Sequence, residues 1–220
     1  MNNHQIIESS NQQIIYEDNH LIAALKKSGQ TVQPEPGKPM SLEDEVKSFI
    51  KEKYNKPGAV FLGVIHRLDM PVRGIVLFAK TSKALVRMNE IFQKREVKKI
   101  YHAWVEHHPP KKSETITHWL KRDEKKNFTK AFVTETKGAD LAQLIYDVIE
   151  SKSNKTLLEI ELLTGRKHQI RAQLSAIGCP IIGDVKYGAS KPNTDQSISL
   201  EAVKLSFVHP IKNEPVVIKI

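Results

Sequence analysis

Apolar residues in this chain recur with two periods, and the switches between them divide it into short strands and three helices. Gln13-Ile14-Ile15-Tyr16 and His20-Leu21-Ile22-Ala23-Ala24-Leu25 flank the turn residues Glu17-Asp18-Asn19 and predict a hairpin. The Pro-rich passage from Val32 to Pro39 excludes helix and central strand and predicts a loop. Ser41 then suits an N-cap, with acidic residues in the first turn and Leu42, Val46, Phe49 and Ile50 on one face. Five apolar residues, Ile75 to Ala79, predict a fully buried strand, after which Thr81 or Ser82 caps a second helix carrying Leu85, Met88, Ile91 and Phe92.

Further along, Ile100 to Val105 predicts a strand, and Pro109-Pro110-Lys111-Lys112 a break. Residues 113 to 139 alternate weakly and predict edge strands with an exposed basic hairpin. Ala142 to Ile149 and Thr156 to Leu163 are clearer strands joined by a polar turn. Lys167 to Ile177 predicts the third helix, with Gly178 as its stop, and two strands follow at Ala202 to Val208 and Pro215 to Ile220. Residues 1 to 13 are polar and aperiodic and predict a frayed tail. No repeat and no linker splits the remainder, so residues 14 to 220 are expected to form one domain.

Composition narrows the function. The chain has 220 residues, 40% hydrophobic, which suffices for a substantial core. No apolar run approaches membrane-spanning length, and the amino terminus lacks a signal-peptide layout, so a soluble, cytoplasmic protein is expected. The single cysteine, Cys179, suits a reducing compartment and an apolar packing role. The net charge of +9 is uneven: residues 1 to 50 hold four lysines against seven acidic residues, and the rest hold 30 basic against 18. Such an excess fits a polyanion partner, or a solvated lysine-rich surface.

Two polar clusters carry candidate chemistry. His66-Arg67-Leu68-Asp69 precedes Pro71, Gly74 and the buried strand, which sets Asp69 on a loop at a core edge, either in a structural ion pair or doing chemistry. Gly165-Arg166-Lys167-His168-Gln169-Ile170-Arg171 sets Arg166 just before a helix start, a place for a phosphate or for a carboxylate such as Asp69, or simply a basic surface helix. The strongly basic run at Lys94, Arg95, Lys98 and Lys99 complements the end of the second helix. The nine histidines form no recognisable metal-ligand set, the glycines form no phosphate loop, and no Gly-x-Ser-x-Gly nucleophile is present.

His66-Arg67-Leu68-Asp69 with Gly74 and Phe78-Ala79-Lys80-Thr81 resembles the signature of the RluA-type family of RNA pseudouridine synthases. In the same order follow Lys98-Lys99-Ile100-Tyr101-His102-Ala103, the segment Gly165 to Arg171, and Gly178-Cys179-Pro180-Ile181-Ile182-Gly183-Asp184-Val185-Lys186-Tyr187-Gly188. The resemblance implies an α+β fold with a bent, mainly antiparallel mixed sheet flanked by helices and a central RNA-binding cleft. It implies a monomer that isomerises uridines of ribosomal or transfer RNA without cofactor or metal. By the same resemblance Asp69 acts at the ribose, as nucleophile or as base. Arg166 pairs with it, and Tyr101 stacks on the uracil and serves proton transfer. His66, Arg67, Arg171, Lys99 and Leu205 are expected on the substrate side, Arg67 filling the space of the flipped nucleotide, and Arg171 with the basic stretches at 94 to 99 and 121 to 130 gripping phosphates.

The chain departs from the family in reading Lys26-Lys27-Ser28-Gly29 where Lys-Pro-x-Gly is common, and Val72-Arg73 where Thr-Ser is common; Gln173 and Glu201 stand at frequent histidine positions. Many relatives carry an amino-terminal S4 domain where this chain has 13 polar residues, so binding is expected to rest on the catalytic domain or a partner. Two rival readings are a catalytically silent RNA-binding module of the same fold and a hydrolytic nucleoside or glycoside enzyme.

Overall fold

Local sequence signals set the helix ends. In the computed structural model, which describes residues 14–220, α1 (Leu42–Lys53) starts at Ser41 with a reciprocal capping box to Asp44. α2 (Ser82–Gln93) starts at Thr81, whose hydroxyl accepts from the Ala84 amide, so Thr81 rather than Ser82 is the cap. The predicted tail, residues 1 to 13, lies outside the described residues.

The chain divides into two compact units, one formed by residues up to Val97 together with Lys204–Ile220 and the other by Lys98–Val203. In the first, β1 (Ile14–Glu17) and β2 (Leu21–Lys26) form the predicted hairpin, and β2 pairs antiparallel with β4 (Arg73–Ala79). The short β3 (Gly63–Val64) also pairs with β4, and β11 (Pro215–Lys219) pairs with β10 (Leu200–Val208). Every residue of β4 after Arg73 is buried, as a continuous apolar run requires. Leu21, Ile75, Leu77, Met88 and Phe207 meet in the core of this unit. The β2–β4 register places Lys26 opposite Gly74, whose φ of 117° suits glycine.

The second unit is an antiparallel array in the order β5 (Lys98–Glu106), β9 (Lys155–Leu162), β8 (Asp140–Lys152), β6 (Ser113–Asp123) and β7 (Phe128–Phe132). Three boundaries differ from the sequence reading. Lys98 and Lys99 belong to β5 and not to the end of α2. Residues 113 to 139 do hold a basic hairpin, yet β6 pairs on both sides and only β7 has the place of an edge strand. The third helix, α3 (Gln169–Ala176), begins two residues late, because His168 adopts a left-handed φ of 56° and the chain turns before it coils. No helix among the described residues is long and apolar enough to cross a membrane.

The hairpin of the first unit is locked through one carboxylate. Asp18 accepts from the His20 and Leu21 amides at 2.7 and 2.8 Å and from the Tyr16 hydroxyl at 2.9 Å. The Lys212 ammonium at 3.0 Å and His209 Nε2 at 2.8 Å also reach it, from the segment between β10 and β11. These donors outweigh burial and hold the Asp18 carboxyl well below the usual carboxylate range. A depressed carboxyl pKa contributes stability above the unfolded value near pH 4, and that stability is lost as pH falls below it. Asp18→Asn is therefore expected to cost about 3 kcal/mol at pH 7 and to flatten acid unfolding, read from urea midpoints between pH 7 and pH 3. An unchanged midpoint at pH 7 would show that the cluster contributes nothing net.

Candidate active site

A lysine at the end of a strand ordinarily turns to water, but Lys26 is only 2% exposed. Its ammonium donates to the carbonyls of Lys27 at 2.9 Å, Gln30 at 2.8 Å and Met70 at 3.0 Å. Met70 directly follows Asp69, and its carbonyl also accepts from the Gly29 amide at 2.8 Å, while Ser28 Oγ donates to the Pro71 carbonyl at 2.9 Å. A tight turn closes the other side, where the Val72 amide donates to the Asp69 carbonyl at 3.0 Å. The loop bearing Asp69 is thus fastened residue by residue to the end of β2, and Asp69 itself is half-buried. Burial lowers the Lys26 ammonium to about 8, with the Asp69 carboxylate pulling the other way, so the two charges sense each other.

The remaining candidates of the first unit divide between core and surface. His66 Nε2 accepts from the Leu77 amide at 3.0 Å and its ring stacks on Phe92 at 5.3 Å, which ties the start of the loop to β4 and α2. Leu205, expected on the substrate side, is 2% exposed inside the apolar core with Leu77 and Phe207. Arg67 is exposed, its nearest polar partner being Gln33 Oε1 at 3.5 Å.

In the second unit a mesh of neutral groups sets the turn that carries Arg166. Thr164 Oγ1 accepts from the Gln143 amide at 2.9 Å and donates to Gln169 Oε1 at 2.7 Å. The same Gln169 oxygen accepts from the Arg166 amide at 3.0 Å, and Gln169 Nε2 donates to the Gln143 carbonyl at 2.9 Å. The Arg166 guanidinium is exposed beside β8, with long contacts of 3.4 Å to the Leu141 carbonyl and 3.6 Å to Asp140. Lys99 passes close to Gly165, its ammonium lying 3.5 Å from where a Cβ would sit. Tyr101 is 8% exposed on β5, opposite Ile160 of β9.

Arg171 was expected at the phosphates and is instead buried. Its guanidinium makes a two-pronged pair with Asp184 at 2.6 and 2.8 Å and lies 4.7 Å from the Tyr187 ring centroid. The Tyr187 hydroxyl accepts from the Thr129 amide at 2.9 Å and sits 2.8 Å from His168 Nδ1. These contacts bind the 3-10 turn Val185–Tyr187 to α3 and to β7. Gln173 is wholly buried and donates to the carbonyls of Ile116 and Ala142, bridging β6 and β8.

Lys26 offers a pH signature. Below pH 8 the amine is protonated in both folded and unfolded chains; between pH 8 and about 10.5 only the unfolded chain keeps the proton, so stability rises with pH across that window. The wild type is expected to gain up to about 3 kcal/mol relative to Lys26→Met between pH 8 and pH 10.5, measured by denaturant unfolding. Parallel stability curves for the two proteins would contradict an ionised, buried Lys26.

Comparison with known proteins gives this arrangement its context. Residues 20–176 match the model of the RNA pseudouridylate synthase family. The chain is 31% identical over 204 residues to the dual-specificity RNA pseudouridine synthase RluA of Vibrio vulnificus, covering 90% of this chain and 78% of that one. It is 30% identical over 214 residues to the ribosomal large subunit pseudouridine synthase D of Zymomonas mobilis, covering 93% and 67%. Among solved structures, human RNA pseudouridylate synthase domain containing 4 superposes with a TM-score of 0.78 over 94% of this chain and 87% of that chain, at 22% identity. With a family match over most of its length and relatives at this level of identity, the chain belongs to the RNA pseudouridylate synthase family and is an isomerase of that class.

Proposed function

We propose that this protein converts specific uridines of structured ribosomal or transfer RNA to pseudouridine, with Asp69 as the group that acts on the ribose. The carrying observation is the fastening of the Asp69 loop to a buried ammonium, an expensive arrangement for a loop with no task. The reaction breaks the bond between N1 and C1′, joins C5 to C1′, removes the proton from C5 and leaves one on N1. Either route for Asp69, attack at C1′ or removal of the C2′ proton, needs an ionised carboxylate held still at the sugar. Arg166 serves as its counter-charge in the working enzyme; a guanidinium with only long protein contacts can be re-aimed at small cost.

Tyr101 takes the uracil face and supplies the hydroxyl for proton transfer at C5. Reaching Asp69 requires the nucleotide to leave its stack, at a cost of a few kcal/mol, and the exposed Arg67 takes the vacated space. Lys99 neutralises backbone phosphate, while His66, Arg171 and Leu205 support the site from within the fold. Residues 14 to 220 act as one catalytic domain, as a monomer in the cytoplasm. The names of the relatives support RNA as the substrate, one being a dual-specificity RNA enzyme and another a large-subunit ribosomal enzyme.

Asp69→Asn keeps size and shape and removes the charge, so pseudouridine formation is expected to fall about a thousandfold or more while RNA binding persists. Carbodiimide mapping of total RNA from cells lacking the gene should show sites that return with wild type but not with this variant. Tyr101→Phe should keep RNA affinity and lose turnover. Full restoration by Asp69→Asn refutes the mechanism, and release of free uracil would identify a hydrolase instead.

A further inference from the structure

The outer face of the β8-β6-β7 array carries two adjacent rows of unlike chemistry. Trp119 of β6 stands opposite Leu141 of β8 on one side and Phe132 of β7 on the other, giving a cross-strand apolar row that is half-buried to exposed. Two residues along the strand, about 7 Å away, Lys121 of β6 stands directly opposite Lys130 of β7. Like charges placed opposite one another destabilise a strand pair, and both lysines are exposed. Among the described residues neither has a carboxylate partner: Lys121 donates to the Lys137 carbonyl at 3.2 Å, and the Lys130 ammonium lies 5.1 Å from the Phe132 ring centroid. Nearby Arg122, by contrast, is paired with Glu124. The apolar row ends at Leu141, whose carbonyl lies 3.4 Å from Arg166 Nε.

An aromatic strip beside a cationic strip is the pattern on which single-stranded nucleic acid is held, its bases on the rings and its phosphates on the ammonium groups. We propose that this outer face is a binding ledge for a single-stranded stretch of the RNA substrate, with bases stacking on Trp119 and Phe132 and phosphates on Lys121 and Lys130. The assignment rests on the RNA reading above and adds to it a second holding place, running outward from the position of Arg166 within this unit. A phosphate chain reverses the sign of the Lys121–Lys130 interaction, because each ammonium then meets an anion and releases counterions. Protection of the edge strand β7 by lysine is the competing account, and it asks for no aromatic row and no second lysine on the interior strand β6.

Trp119 reports directly in a Trp104→Phe background, where its fluorescence is titrated with a single-stranded oligouridylate of about eight nucleotides and with a duplex of equal length. Saturable quenching by the single strand alone is expected. Trp119→Leu, assayed by filter retention, should weaken that binding at least fivefold or so. Lys121→Gln with Lys130→Gln should weaken it too and lower the salt slope of log K by about 1.4, with the melting temperature unchanged or raised. With full-length RNA the double variant should show a raised KM and a kcat close to wild type. Single strand that leaves Trp119 unquenched, or a double variant of unchanged affinity and KM, overturns the ledge. Self-association of the double variant with intact RNA affinity would assign the lysines to edge protection. If the Trp104→Phe protein quenches with the single strand while the wild type forms no pseudouridine, the catalytic reading fails and the ledge stands.

Discussion

The contact on which the catalytic loop depends is a buried ammonium among three carbonyls. Burying a lysine costs several kcal/mol unless its three hydrogens are used, and Lys26 uses them on Lys27, Gln30 and Met70. Only a compact ammonium on a slender stem suits this nest, since a planar guanidinium presents its donors in one fixed fork. Two consequences follow for Asp69. Its backbone is immobilised on the side facing β2, and its carboxylate lies where a positive charge offsets the cost of leaving water. The pairing of Lys26 with Gly74 in the β2–β4 register makes this possible, because the ammonium must emerge where β4 begins and the loop ends.

The second unit reaches rigidity by neutral means. Gln169, Thr164 and Gln143 share out their donors and acceptors so that the turn ahead of α3 is specified without burying a charge. A buried charge pair, Arg171 with Asp184, is bidentate and backed by the Tyr187 ring, the geometry in which desolvation is best compensated. The left-handed His168 follows from this mesh. Gln169 folds back to the Arg166 amide, so the chain reverses before the helix begins, and no side chain caps α3.

Much of the fold was legible because it rests on short-range chemistry. The Ser41 capping box, the Glu17-Asp18-Asn19 turn, the all-apolar Ile75 to Ala79 and the alternation in β8 and β9 each announce one element. What escaped depends on residues far apart in sequence. Lys26 looks like a surface lysine until β2 is paired with β4, and Asp18 looks like a turn residue until His209 and Lys212 meet it. Arg171 falls at a helical position open to water in the sequence, yet the 3-10 turn that carries Asp184 covers it. Strand order was equally hidden: nothing local says that β6 lies between β8 and β7. For the candidate site, the sequence named the residues and their motifs, while the buried supports behind them had no local signal.

Cation geometry separates structural groups from those available to RNA. Lys53 and Lys80 meet Glu17, Lys47 meets Glu43, and Lys98 meets Glu161, all at 2.6 Å. Arg67 and Arg166 have only contacts of 3.4 to 3.6 Å, and Lys121 and Lys130 have no carboxylate at all among the described residues. An exposed ion pair is worth little in water, but a cation already paired must surrender its partner before it can bind phosphate, whereas a loosely held one pays nothing. Net charge therefore overstates the surface offered to a polyanion, and the loosely held cations mark where it is offered. On that criterion Arg67 is among the cations that qualify in the first unit, and Arg166, Lys121 and Lys130 are among those that qualify in the second. In the second unit Lys121 and Lys130 stand on the same strands, β6 and β7, and the same face as the half-buried aromatic pair Trp119 and Phe132, so there cations without a carboxylate partner and rings are offered together.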